Sequence, residues 1–194
     1  MNKKILLNLT IVMALILLLV AFSGCTESDK FYYMKSDGMS HGERQEGIID
    51  KGDFVLCEEI SGKSEIITWA FGKSIDYKKY GDYGDVIIYK NVSKEYILHR
   101  AMCWVEYHDE YGTYSIDDYG MINVSNITII ELGLEKYMPN NSGFITKADN
   151  RPACDQPYGV CNEPLKLEWI VGKVVKLIDM DRIIFPLTEF NKCS

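Results

Sequence analysis

The sequence predicts a mostly β fold. Short runs rich in β-branched and aromatic residues alternate with Gly, Asn and Asp, a pattern typical of strands joined by turns. About 170 residues follow an N-terminal apolar run, which is enough for one hydrophobic core, so we expect a single domain over 33–194. The predicted strands are 54–56, 86–89, 96–98, 122–130, 144–145 and 169–178.

The residues between these runs predict the turns and the few helical segments. Asn91-Val92-Ser93-Lys94 predicts a hairpin turn between two strands, which brings His99 to a strand end. Only 131–138 and the region around 66–71 have a pattern that favours helix.

The N-terminus predicts export and a membrane tether. Asn2-Lys3-Lys4 is a short basic region, 5–22 is almost wholly apolar, and Ser23-Gly24 precede Cys25. This is the pattern of a signal peptide over 1–25, and its end is similar to a lipobox with Cys25 as the lipidation site. An uncleaved anchor is the alternative, because about 18 apolar residues is near the lower limit for spanning a bilayer. Both interpretations place the polar linker 26–32 and all later residues on the extracytoplasmic face.

The charge of the chain bears on its partners. The net charge is −7, and the predicted signal peptide contains basic residues but no acidic ones, so the exported part is more acidic still. An acidic surface repels a phosphate backbone, which argues against a nucleic-acid partner.

The cysteines agree with an oxidising compartment. Of the six, Cys25 is assigned to lipid and an odd number remains. Cys154 and Cys161 close a short loop, and we expect a disulfide between them. A metal site is the alternative, but no His lies in or near that loop, so we expect no metal and no cofactor. A second pair could form across a sheet between Cys57 and Cys103, which would leave Cys193 free.

Five short motifs carry a family resemblance. Together they span most of the chain after residue 33, and their order resembles the type I signal peptidase family in its archaeal and endoplasmic-reticulum form. The resemblance implies an antiparallel β-sheet or barrel core and a serine-type endopeptidase ancestry. The motifs are Ser36-Asp37-Gly38-Met39, Lys51-Gly52-Asp53-Phe54-Val55-Leu56, Gly84-Asp85-Val86-Ile87-Ile88-Tyr89 running to His99-Arg100, Thr146 to Asn150, and Trp169-Ile170-Val171-Gly172-Lys173-Val174-Val175.

The resemblance also assigns site residues. The general base matches His99, its acid matches Asp149, and Asp155 lies near the second acidic position of the family. Ser36 matches the first serine of a strand motif and could donate toward an oxyanion. The nucleophilic serine falls on Gly38, which has no side chain to attack a carbonyl.

Other departures affect the surroundings of the site. His41 stands where the family has Pro, Ala148 replaces a Gly, and Arg151 replaces an Asn. The stretch 39–52 is longer than usual, and so is the stretch between the base and the acid, which predicts an inserted subdomain over about 105–142.

Two functions remain open at the level of sequence. One is an exported pseudoenzyme that binds an extended peptide or a partner protein by strand addition. The other is an active endopeptidase in which Ser36 or Ser40, each roughly 6.5 Å from Gly38 on an extended strand, works with His99 and Asp149. A serine hydroxyl within about 2.6 to 3.2 Å of the imidazole would favour the second.

Overall fold

The computed structural model describes residues 30–178 except 44 and 92. The predicted signal peptide, the lipidation site Cys25 and the last cysteine, Cys193, lie outside the described residues. The described residues from Phe31 onward form one compact unit. The first strand begins at Lys30, so the end of the predicted linker is part of a strand. Within 30–178, no helix has both the length and the apolar character needed to cross a bilayer.

The described residues form twelve strands and one short α-helix. The strands are β1 (Lys30–Tyr33), β2 (Phe54–Glu58), β3 (Lys78–Lys79), β4 (Asp82–Tyr83), β5 (Val86–Lys90), β6 (Tyr96–His108), β7 (Thr113–Ile116), β8 (Met121–Val124), β9 (Ile127–Ile129), β10 (Leu134–Tyr137), β11 (Gly143–Lys147) and β12 (Ile170–Ile178). The helix is α1 (Trp69–Ser74), and 3-10 helices occupy Lys63–Glu65, Asp117–Tyr119, Ile130–Leu132 and Leu167–Trp169.

One eight-stranded sheet dominates the unit. Its strand order is β1-β2-β12-β5-β6-β7-β8, and β11 pairs with β6 beside this path. The registered pairs of this sheet are antiparallel, so the prediction of a mostly β, antiparallel fold is confirmed. The strand order is open from β1 to β8 within the described residues, so of the two expected cores, a sheet or a barrel, these residues form the sheet and no closed barrel.

The central strand β5 shows why the sheet is stable. Val86 and Ile88 pack into one buried cluster, while Ile87 and Tyr89 pack into another. Because successive side chains of a strand point to opposite faces, β5 is covered on both sides. Burial on both faces accounts for the continuous apolar run of β5, whereas a strand with one solvent-exposed face would alternate apolar and polar residues.

The hairpin after β5 forms as predicted, although the position of His99 differs. The Lys94 amide donates to the Asn91 carbonyl at 2.9 Å, and the Asn91 side chain accepts from the Glu95 amide at 2.9 Å. β6 then continues for 13 residues, so His99, which pairs with Ile87, lies inside a long strand and not at its end.

The segment 105–142 departs most from the predicted elements. The predicted strand 122–130 is broken at Ser125 and Asn126 into β8 and β9. The predicted α-helix 131–138 is wrong, because β10 occupies half of it and a 3-10 helix ends at Leu132. The predicted helix near 66–71 is shifted to α1, where Thr68 caps the first turn by accepting from the Phe71 amide. Side chains of the segment share a core with β6 and β11: Ile116, Ile127, Leu132 and Leu134 pack with Cys103, Val105 and Ile145.

The predicted disulfides are wrong for the cysteines that the structure describes, because none of these cysteines is bonded to another. Cys154 is fully buried in the cluster around β6, β9 and β10. Cys161 packs against the different cluster around Tyr89, and its thiol donates to the Glu163 carbonyl at 3.0 Å. Cys57 and Cys103 lie on β2 and β6, which β12 and β5 separate.

Candidate active site

The site forms where three segments meet: the turn containing Gly38, the strand β6, and the loop after β11. Gly38 lies in a turn closed by the Ser40 amide, which donates to the Asp37 carbonyl at 3.0 Å. Asn150 connects this turn to the loop after β11 through two hydrogen bonds. Its amide donates to the Gly38 carbonyl at 3.2 Å and its side chain to the Asp37 carbonyl at 2.7 Å. The strand that the resemblance implied for 36–39 is therefore a turn.

The orienting acid for His99 is Asp155. Nδ1 of His99 lies 2.6 Å from Oδ2 of Asp155, and the carboxyl group is fully buried. A carboxylate can only accept, so Nδ1 carries the hydrogen and Nε2 is left to face the site. The same carboxylate oxygen accepts from the Thr146 hydroxyl at 2.7 Å and from the Tyr89 hydroxyl at 3.4 Å. Burial raises the pKa of Tyr89, which keeps its hydroxyl protonated as a donor.

Asp149, the acid that sequence reasoning assigned to His99, has other partners. Nε and Nη2 of Arg100 bind its two oxygens at 2.9 and 2.6 Å, and Nε2 of His41 lies 3.2 Å from Oδ2. The expected pairing of His99 with Asp149 must therefore be revised. The two aspartates differ because Asp155 sits beside Thr146 on the floor of the site, whereas Asp149 faces the neighbouring arginine of β6.

Arg100 is a structural residue that sequence reasoning passed over. It is fully buried, and Nη1 also donates to the carbonyls of Gly84 at 2.9 Å and Tyr83 at 3.1 Å. It thereby ties the β3–β4 hairpin to β6 and to the loop that carries Asp149. Its place next to His99 in the motif was the available signal. His41, at the position where the resemblance led us to expect Pro, joins the same cluster.

The position that a Cβ atom would occupy at Gly38 lies beside the imidazole of His99. A Cβ atom built at Gly38 would lie 3.6 Å from Nε2 of His99, 3.8 Å from Oγ of Ser36 and 3.9 Å from Cβ of Ala148. These are ordinary van der Waals distances, and the backbone is not in the left-handed region. A Cβ atom at this position would therefore fit without strain and would lie next to Nε2 of His99.

The two candidate replacement serines differ in their surroundings. No serine hydroxyl of the described residues hydrogen-bonds His99, whose ring bonds Asp155 instead. The Ser40 hydroxyl donates to the Gly42 carbonyl at 3.3 Å. Ser36 is exposed and lines a groove together with His99, so Ser36 is the better placed of the two.

That groove has a volume of about 570 Å³ and ends at the site. It is lined by every residue of 31–36 and of 95–99, with Ile88 beneath. Because neighbouring residues of a strand point to opposite faces, a cavity that touches all of them runs along strand edges. The rings of Tyr32 and Tyr96 lie 5.1 Å apart, and Gly38 meets His99 at the other end. Both walls therefore run in the same direction, toward the site.

Comparison with family models and with curated proteins identifies no relative of this chain. The chain matches no model of a known protein family, and no curated protein is significantly similar to it. The described residues contain no group of three or more His, Cys, Asp or Glu placed to hold a metal ion.

Proposed function

We propose that this chain is a membrane-tethered, extracytoplasmic protein of the signal-peptidase type that lacks its nucleophile and binds an extended peptide. The observation that carries the proposal is the arrangement at Gly38. The pair of His99 and Asp155 has the geometry of a general base with its orienting acid, and Gly38 stands where that base would meet a serine side chain.

The chemistry argues against efficient hydrolysis. A serine protease forms a covalent acyl intermediate after the base removes the hydroxyl proton. Glycine offers no hydroxyl, and loss of the serine alone costs about as much rate as loss of the whole triad. His99 and Asp155 then retain a binding role, because an oriented imidazole beside a groove can still contact a ligand.

The groove supports peptide binding by strand addition. β11 pairs with β6 only from Arg100 onward, so within the described residues the β6 edge opposite β5 faces the groove over 96–99. A strand edge exposes amide and carbonyl groups in a row, to which an extended peptide can add. The other wall is β1, the first strand in the sheet order. The N-terminal apolar run supports the tether, because it lies only a short polar linker ahead of β1.

An active endopeptidase is the second candidate, and Ser36 is the observation that favours it. Its hydroxyl oxygen lies 3.8 Å from the position of a Cβ at Gly38, so a shift of the turn could bring it toward Nε2 of His99. In this version Asp155 takes the role first given to Asp149. Ser40 is less favoured, because its hydroxyl is directed at Gly42.

Cleavage of a secretory precursor by the full-length protein in membranes tests the two candidates. We expect no product above background from the wild type, and no difference in Ser36→Ala or Ser40→Ala. Cleavage by the wild type that is lost in one of these variants would overturn the proposal and identify the nucleophile. Binding is tested separately, by fluorescence anisotropy with a labelled peptide of alternating valine and threonine.

A further inference from the structure

We infer that the groove recognises the free C-terminal carboxylate of an extended peptide, held beside His99 in the space next to Gly38. The ligand class is then the carboxylate-bearing end of a chain, which includes the product of a cleavage, and not an internal segment of a chain. This inference rests on the proposed function, because it names the ligand of the same groove.

The space next to Gly38 has the donors that a carboxylate requires. Within 4 Å of the position of a Cβ, the nearest atoms are Nε2 of His99, Oγ of Ser36 and the methyl carbon of Ala148. A carboxylate oxygen accepts hydrogen bonds, and an imidazolium donates from both nitrogens. An imidazole that carries a hydrogen on both nitrogens would donate from Nδ1 to Asp155 and from Nε2 to the peptide carboxylate. The bond from Nε2 to the peptide is then charge-assisted and strong.

The charges along the groove fix the direction of the peptide. Glu95 lines the end near Tyr96, and Lys35 lines the end near Ser36 and His99. A peptide with its amino end toward Glu95 and its carboxylate toward Lys35 matches both charges. In that direction it runs parallel to both walls, and parallel strands form regular hydrogen-bond ladders.

The glycine is what makes this ligand suitable. A serine side chain at residue 38 would occupy the space in front of Nε2 and would itself bond the imidazole. Glycine leaves that nitrogen open to a ligand oxygen. The residue that prevents hydrolysis therefore creates the binding position for the product of hydrolysis.

A pair of peptides tests the inference. One is a short fluorescent peptide of alternating valine and threonine with a free C-terminal carboxylate, and the other is its C-terminal amide. We expect the full-length protein to bind the acid about tenfold more tightly, as the loss of one charge-assisted hydrogen bond implies. Gly38→Val, which fills the space, and His99→Leu, which removes the donor, should each abolish the difference while the amide still binds.

Tyr96→Ala is the matched control, because Tyr96 lines the far end of the groove. It should weaken both peptides by the same factor and leave their ratio unchanged. Equal affinity of acid and amide for the wild type would overturn the inference but leave peptide binding in place. If neither peptide binds, the inference and the proposed function are both wrong.

Discussion

At the scale of single residues, the proposed function depends on the space beside Gly38. A Cβ at Gly38 makes no contact shorter than 3.6 Å, so the fold can accept a side chain there. An oxygen attached to that Cβ could come within hydrogen-bond distance of Nε2 of His99, because it can extend about 1.4 Å further toward the ring.

We therefore expect Gly38→Ser to gain slow cleavage of a secretory precursor, about tenfold or more above the wild type. The added hydroxyl meets an imidazole that Asp155 already orients. Product formation on a gel over hours measures the gain. Gly38→Ala is the control, since it adds the Cβ without the oxygen and should stay at background.

The roles of the two aspartates can be separated by adding a second substitution to the Gly38→Ser variant. Asp155→Asn should remove the gained cleavage, because the amide cannot act as the anionic partner of His99. Asp149→Asn should leave cleavage detectable, because that carboxylate bonds Arg100 and His41 instead. The opposite result would return the catalytic role to Asp149.

Arg100 has the largest predicted effect on stability of any single residue in the site. It is fully buried and forms a bidentate ion pair with Asp149 through two hydrogen bonds. Arg100→Met would leave that carboxylate without its partner, so the free energy of unfolding should fall by about 3–5 kcal/mol. Urea denaturation measures the change. Lys63→Met removes a pair with Glu106 in which both side chains are about half exposed, and should cost at most about 1 kcal/mol.

At the scale of elements, the sheet depends on close approach between β12 and β2. A Cβ built at Gly172 would lie 2.2 Å from the Glu58 carbonyl oxygen, which is backbone and cannot move aside. Gly172→Ala should therefore lower the free energy of unfolding by about 1–3 kcal/mol. Gly62→Ala is the control, because nothing lies within 4 Å of its Cβ position. Equal stability of the two variants in thermal melts would contradict this.

The strands were predictable where burial on both faces makes the sequence pattern strong, as in β5. The region 131–138 was misread because its local pattern is weak. Gly133 and Lys136 have left-handed backbones, and Leu132 and Leu134 are drawn into the shared core. The assignment of Asp149 instead of Asp155 to His99 also failed because the local sequence pattern does not distinguish the two aspartates. Both lie in the loop that follows β11, and only the positions of Thr146 and Arg100 decide which one reaches His99.

At the scale of the whole molecule, the cysteines differ from the disulfides that the predicted export led us to expect. Cys57, Cys103, Cys154 and Cys161 form no disulfide with one another, and the first three are buried. Burial raises the pKa of the Cys154 thiol to about 12 and also raises that of Cys103. Their thiolates are therefore scarce at neutral pH, which protects them from oxidation and exchange.

Thiol labelling of the native protein should then follow exposure. An alkylating reagent at neutral pH should react with Cys161 first, because it is the one partly exposed thiol among these four. Cys103 and Cys154 should react only after unfolding in urea, and without any prior reduction, because no bond joins them. Mass spectrometry of tryptic peptides measures the order. A Cys154 that resists alkylation in urea until a reductant is added would show that the loop after Asp149 is closed by a disulfide after all.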